Sequence, residues 1–158
     1  MSRLQLALNV DDLDTAVAFY SKLFDTEPAK TKPGYANFAI ANPPLKLVLL
    51  ENPGKGGSLN HLGVEVDSTD TVDSEQTRLA AVGLASVDER GTTCCYAKQD
   101  KFWVEGAPHG ERWEIYTVLS DSEAFAEVTD TSDTCCGQPM SSLAGSIPNA
   151  TANVSTSG

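Results

Sequence analysis

A weak internal repeat constrains this chain more than any other feature. Shifted by 56 residues, Leu6, Val10, Asp11, Asp14, Thr15 and Leu23 fall on Leu62, Val66, Asp67, Asp70, Thr71 and Leu79, six identities over the twenty positions from Gln5 to Phe24. Ordinary residue frequencies give about one or two matches by chance. A chain that starts again at this spacing builds two copies of one supersecondary unit.

Each copy opens on a strand and continues into a helix. Leu4, Leu6, Leu8 and Val10 alternate with Gln5, Ala7 and Asn9, the pattern of a strand with one apolar face. Asp11 or Asp12 is placed to cap a helix on which Leu13, Val17, Tyr20 and Phe24 recur at helical spacing. Tyr35 to Ile40 and Leu45 to Glu51 read as two further strands. In the second copy Asn60 to Val66 is the opening strand and Asp70 to Val82 the helix. The segments Ser86 to Arg90, Thr93 to Lys98, Lys101 to Glu105 and Arg112 to Leu119 supply the remaining strands, with a turn at Lys98 to Lys101. The fold class is therefore α+β, with paired βαβββ modules at about 3–51 and 59–119 inside a domain at 1–120. Residues 121–158 are rich in Ser, Thr, Gly and Ala and poor in large apolar side chains, so a disordered tail is expected there.

The same shift lays Gln5 on His61, each on the strand face opposite the aliphatic stripe, which suggests equivalent places on facing sheets. Glu114 lies in the strand-like run Arg112-Trp113-Glu114-Ile115-Tyr116-Thr117-Val118. A carboxylate facing inward on a strand needs a partner or a metal. Gln5, His61 and Glu114 together offer an amide oxygen, a neutral imidazole and a carboxylate. That set suits Fe(II), Zn(II), Ni(II) or Co(II), and three protein ligands leave coordination positions open. A strand histidine is commonly a hydrogen-bonded core residue instead. His109, in Ala107-Pro108-His109-Gly110, reads as an exposed turn residue.

Cys94 and Cys95 are adjacent, and packing alone gives no reason for two neighbouring sulfurs. Successive side chains on a regular strand point to opposite faces, so both sulfurs reach one atom only where the backbone turns or opens. A second pair, Cys135 and Cys136, falls in the tail. Paired cysteines lack the spread of a secreted disulfide framework, and a reducing cytosol keeps them as thiols. The formal net charge of −11 argues against nucleic acid or an anionic membrane as partner. The opening residues lack the apolar core of a signal peptide, and no run reaches membrane-spanning length, which places the protein in the cytoplasm.

The paired halves, the opening Gln5-Leu6-Ala7-Leu8-Asn9-Val10-Asp11-Asp12-Leu13 with Phe19-Tyr20, Asn60-His61-Leu62-Gly63-Val64 and Glu111-Arg112-Trp113-Glu114-Ile115-Tyr116 resemble the vicinal oxygen chelate superfamily over residues 3 to 120. Gly91-Thr92-Thr93-Cys94-Cys95-Tyr96 and the run from Lys32 to Ile40 resemble its branch of cadmium-induced proteins and iron-dependent carbon-arsenic lyases. The resemblance implies a curved sheet around a metal cavity, with Gln5, His61 and Glu114 as metal ligands and His61 and Glu114 as catalytic residues. It implies Cys94 and Cys95 as the substrate-binding pair. The implied activity is an Fe(II)-dependent, dioxygenase-type cleavage of trivalent organoarsenicals such as methylarsenite, with O2 as co-substrate and a monomer or homodimer as the working form. The alternatives are a protein that sequesters cadmium or arsenicals without turnover and, less favoured, a glyoxalase-type isomerase. An isomerase of that kind needs a carboxylate from the first half, and Leu45-Lys46-Leu47-Val48, read as the counterpart of Trp113-Glu114-Ile115-Tyr116, offers none.

Overall fold

The computed structural model describes residues 1–126. Its elements run β1 (Arg3–Val10), α1 (Leu13–Phe24), β2 (Lys30–Lys32), β3 (Tyr35–Ile40), β4 (Leu45–Glu51), β5 (Leu59–Glu65), α2 (Thr69–Ala81), β6 (Ser86–Cys94), β7 (Ala97–Val104) and β8 (Trp113–Asp121). This is βαβββ twice over. The helices start where the sequence supplies a cap: Asp12 accepts from the Thr15 amide at 2.7 Å, and Ser68 accepts from the Thr71 amide.

All eight strands join one mixed sheet in the order β2-β3-β4-β1-β5-β8-β7-β6, which curls into a half-barrel. Within the modules β1 runs parallel to β4 and β5 parallel to β8, while β1 and β5 pair antiparallel at the centre. The order therefore reads the same from either edge once the modules are exchanged. Register carries the repeat down to single residues. Gln5 lies opposite Gly63 and Ala7 opposite His61, and a shift of 56 exchanges those two pairs. Gln5 and His61 consequently sit on neighbouring strands of one sheet and not on facing sheets, because the central pairing fuses the modules through their backbone edges.

The helices cover one face of this sheet. Leu6 and Leu8 of β1 join Val10, Phe38, Leu47 and Leu49 in a core that includes Leu13, Val17, Tyr20 and Phe24 of α1. Val66, Val72, Leu79 and Phe102 form the corresponding core under α2. A strand alternates its side chains, so Gln5, Ala7 and Asn9 are left to the other, helix-free face. Ala7 packs there with Tyr35, Val48, Leu50, Cys94 and Tyr96.

Three local features differ from the sequence reading. The three-residue strand β2 is too short to leave a periodic signal. The segments read as three strands between 86 and 105 are two, β6 and β7, and the polar residues Lys98 to Lys101 lie inside β7, paired with β6 and β8. Their polarity is satisfied in place: the Asp100 carboxylate accepts from the Thr69 hydroxyl and the Gly91 amide, both at 2.7 Å. The chain turns instead at Cys95-Tyr96. Finally, residues just past 121 rest on the domain. The Ser122 amide donates to the Tyr96 carbonyl, the Phe125 ring packs edge-on against Tyr96, and Ala126 bridges to Cys94. The rest of the expected tail, with Cys135 and Cys136, lies outside the described residues. Among those described, no helix is long and apolar enough to cross a membrane.

Candidate functional site

Gln5, His61 and Glu114 meet on the helix-free face. Gln5 is delivered by β1, His61 by the adjacent β5, and Glu114 by β8 on the far side of β5, where it registers with Gly63. Their polar atoms converge: Gln5 Nε2 lies 3.0 Å from His61 Nε2 and donates to Glu114 Oε1 at 2.7 Å, and His61 Nε2 is 3.2 Å from Glu114 Oε1. All three residues are buried, none more than 4% exposed. Gly63 makes the convergence possible, since a Cβ there would come within 3.1 Å of Glu114 Cγ and 3.3 Å of Gln5 Nε2. Sequence reading passed over this glycine because its backbone is an ordinary strand and its role is to leave space.

The imidazole is oriented from behind. His61 Nδ1 lies 2.7 Å from Asn60 Oδ1, and the Asn60 amide nitrogen donates to Asn9 Oδ1 at 3.0 Å. With Asn60 Oδ1 facing it, Nδ1 carries the proton and Nε2 presents its lone pair to the other two side chains. The Trp103 ring meets His61 edge-on at 5.4 Å.

Glu114 also has a partner the sequence reading missed. Lys101, fully buried on β7, donates to Glu114 Oε2 at 3.2 Å and lies 3.4 Å from Glu89. Burial alone would push the Glu114 carboxyl up, yet the Lys101 ammonium, which also donates a hydrogen bond to it, holds it below the usual carboxylate range. A signal for Lys101 existed in the alternation of Gln99, Lys101 and Trp103, but it was hidden by the polar run around it. On the outer side of Gln5, the Tyr116 hydroxyl contacts both Gln5 Oε1 and, at 2.9 Å, Glu65 Oε2. Glu65 in turn pairs with Arg3 and Lys46, each at 3.1 Å.

The donor set fits a divalent cation. Metal–ligand bonds of about 2.1 Å at right angles put neighbouring donor atoms about 3.0 Å apart; the imidazole and carboxylate donors here are 3.2 Å apart, and the end of the Gln5 amide, with its nitrogen turned inward, lies 2.7 and 3.0 Å from them. One carboxylate oxygen and the imidazole lone pair already face the common point. Among the described residues no group of three or more His, Cys, Asp or Glu is placed to hold a metal, and the third group beside this imidazole and carboxylate is an amide. The counterpart of Glu114 in the first module is Val48: Ala7 registers with Val48 as Gly63 does with Glu114. The counterpart falls two residues beyond Lys46, and it too brings no second carboxylate. His109 stands exposed in its turn.

Cys94 and Cys95 lie at the β6–β7 hairpin. Cys94 ends β6 opposite Ala97, and Cys95 and Tyr96 form the two-residue turn with φ of 54° and 60°. Both are left-handed, a conformation that suits Asn-Gly and costs other residues roughly 1–2 kcal/mol each. The turn overrides strand alternation and brings the Sγ atoms 3.5 Å apart, too far to be joined to each other. Neither is a free thiol in this structure, where the sequence reading expects thiols. A cavity of about 280 Å³ opens on this face, lined by Gln5 and Glu114 and also by Cys94, Cys95, Lys46 and Gln99. The metal-type donors and the sulfur pair thus share one space.

Comparison with known proteins agrees with this architecture. The family model for the Glyoxalase/Bleomycin resistance protein/Dioxygenase superfamily matches residues 3–115. The cadmium-induced protein CadI of Mycobacterium tuberculosis is 67% identical over 87% of this chain and 90% of its own length. A trivalent organoarsenical cleaving enzyme of Thermomonospora curvata is 53% identical over 95% of this chain and 98% of its own. Among solved structures, the Mn(II)-bound glyoxalase of Novosphingobium aromaticivorans shares the fold, with a TM-score of 0.53 at 18% identity over 82% of this chain and 44% of that one.

Two outcomes follow from the packing. Gly63→Ala should weaken Zn(II) binding about tenfold or more by wedging Gln5 from Glu114, measured by calorimetry, with the melting curve confirming a folded protein. Glu114→Gln and Lys101→Met should each cost about 3 kcal/mol, since each leaves a buried partner uncompensated, and the double variant should cost less than their sum. The sign of the pH effect is set by the lowered Glu114 value. Its stabilisation is full above the ordinary value of 4.5 and is lost as pH falls toward the folded-state value. Acid unfolding of the double variant should therefore show a shallower pH dependence than that of the parent.

Proposed function

Because the chain belongs to the glyoxalase/bleomycin resistance protein/dioxygenase superfamily, we propose that it is an Fe(II)-dependent, dioxygenase-type enzyme that cleaves the carbon–arsenic bond of trivalent organoarsenicals. The observation that carries this reading is the shared cavity, lined by Gln5 and Glu114 and by two sulfurs 3.5 Å apart, with His61 Nε2 within 3.2 Å of both the amide and the carboxylate. The relatives named for organoarsenical cleavage support it. Gln5, His61 and Glu114 are the metal ligands, and Cys94 and Cys95 are the substrate-binding pair.

The reduced pair captures methylarsenite by exchange. Each thiol forms one sulfur–arsenic bond and displaces one hydroxyl from arsenic, so two waters leave and the methyl group stays on arsenic as its third substituent. The hairpin turn sets the two sulfurs to serve one atom, which fixes that methyl group inside the cavity beside the metal ligands. Ferrous iron, when bound, supplies the chemistry that activates dioxygen. Trp103 packs edge-on against the His61 ring, and Lys101 holds the Glu114 carboxylate ionised. The overall reaction balances without a further reductant: CH3As(OH)2 and O2 give CH2O and As(OH)3, with carbon oxidised and both oxygen atoms entering the products. Hydrolysis at the sulfurs releases arsenite and returns the thiols. A reducing cytoplasm is the compartment that keeps such a pair competent.

Sequestration without turnover is the rival, favoured by a relative named for cadmium induction. Turnover separates them. Reduced protein loaded anaerobically with Fe(II) should release many equivalents of arsenite per chain on admission of air, with one O2 consumed and one formaldehyde formed for each. A yield that stops at about one or two equivalents of bound arsenical would leave a sequestrant. Cys94→Ser and Cys95→Ser should abolish methylarsenite binding while Fe(II) affinity stays within a few-fold of the parent, because a serine oxygen is hard and cannot supply the second soft bond. Parallel collapse of both affinities in paired titrations would make the cysteines metal ligands.

A further inference from the structure

We infer that Tyr116 and Glu65 are positioning residues for a metal-dependent half-turn of the Gln5 amide. The inference rests on the proposed ligand set but concerns groups outside it. In the structure the nitrogen end of Gln5 faces inward, donating to Glu114 Oε1 at 2.7 Å and lying 3.0 Å from His61 Nε2. Without a cation this orientation is required, since the oxygen end in the same place would set two acceptors 2.7 Å apart. With a cation it is excluded, because the lone pair of the amide nitrogen is delocalised into the carbonyl and only the oxygen is a ligand. Loading the site therefore demands that Gln5 rotate by half a turn about its terminal bond, bringing Oε1 inward and Nε2 outward.

The outward side is built for the rotated state. The buried Tyr116 hydroxyl lies between two acceptors, Gln5 Oε1 and Glu65 Oε2, and a hydroxyl has one hydrogen for the two of them. Before rotation one contact is unsatisfied. After rotation Gln5 Nε2 donates to the Tyr116 oxygen, Tyr116 donates to Glu65, and every donor in the chain has its own acceptor, ending on a carboxylate. Glu65 is itself fixed by Arg3 and by Lys46, so the chain has a rigid anchor. Tyr116 therefore favours the metal-bound state over the metal-free one, and its phenol acts through Gln5 without touching substrate.

The test uses the full-length, reduced protein and Zn(II), a diamagnetic probe. Through-space NMR contacts of the Gln5 side-chain amide hydrogens should move from the His61 ring in the metal-free protein to the Tyr116 ring in the Zn(II)-bound one. Tyr116→Phe should bind Zn(II) about tenfold or more weakly by calorimetry. The parent NMR experiment decides the matter if that variant does not fold. His61→Ala separates the two levels of the argument. Should it bind Zn(II) as the parent does, the ligand set is wrong and the inference falls with it. Should it lose binding while Tyr116→Phe binds as the parent does, or while the Gln5 contacts stay on His61 after loading, the ligand set stands and the half-turn is refuted.

Discussion

The structure depends on one buried carboxylate. Glu114 sits 4% exposed at the middle of the sheet, and an isolated charge there would be prohibitively expensive. Lys101 compensates it on one oxygen and Gln5 on the other, while the Gln5 amide nitrogen also lies beside the His61 lone pair. Because the cluster draws on four strands, it ties β1, β5, β7 and β8 to a single register. A one-residue slip in any of them would turn its member of the cluster to the opposite face. The twofold arrangement of the modules supplies the geometry, and the difference between Val48 and Glu114 at equivalent positions makes it a one-carboxylate site. The two halves share a scaffold and divide the chemistry.

The Gln5–His61 pairing was legible in the sequence because the repeat maps one residue onto the other and strand alternation sets both against the aliphatic stripe. Glu114 was legible because a carboxylate amid Trp113 and Ile115 asks for compensation. Lys101 was not, since Lys98-Gln99-Asp100-Lys101 has the polarity of a turn, and only the pairing of β7 with both neighbours shows that Lys101 faces inward. Gly63 was silent for a different reason: it acts by the side chain it lacks. The facing-sheets picture failed because periodicity reports which face a residue takes within a strand and says nothing about which strand lies beside it.

The cysteine pair shows local geometry and chemistry pulling against each other. A two-residue hairpin turn prefers Asn-Gly, and this chain places Cys95 and Tyr96 there with positive φ. What that backbone provides is the departure from strand alternation that sets adjacent sulfurs side by side. Tyr96 is held by its ring contacts with Tyr35 and Phe125 and by its hydroxyl bond to the Pro33 carbonyl, so packing offsets the cost of the turn. Two sulfurs at a hairpin tip and an amide and a carboxylate on the central strands thus open on the same cavity.

The central claim is that this cavity holds a divalent metal and a trivalent arsenical at once, on separate ligands. An anaerobic crystal structure of the reduced protein with Fe(II) and methylarsenite tests it most directly, with anomalous scattering at each element's edge to identify the atoms. The account predicts iron bonded to Gln5 Oε1, His61 Nε2 and Glu114, and arsenic bonded to both Sγ atoms with its methyl group directed toward the iron. Iron found on the sulfurs, or arsenic bound anywhere but the Cys94–Cys95 pair, would contradict it.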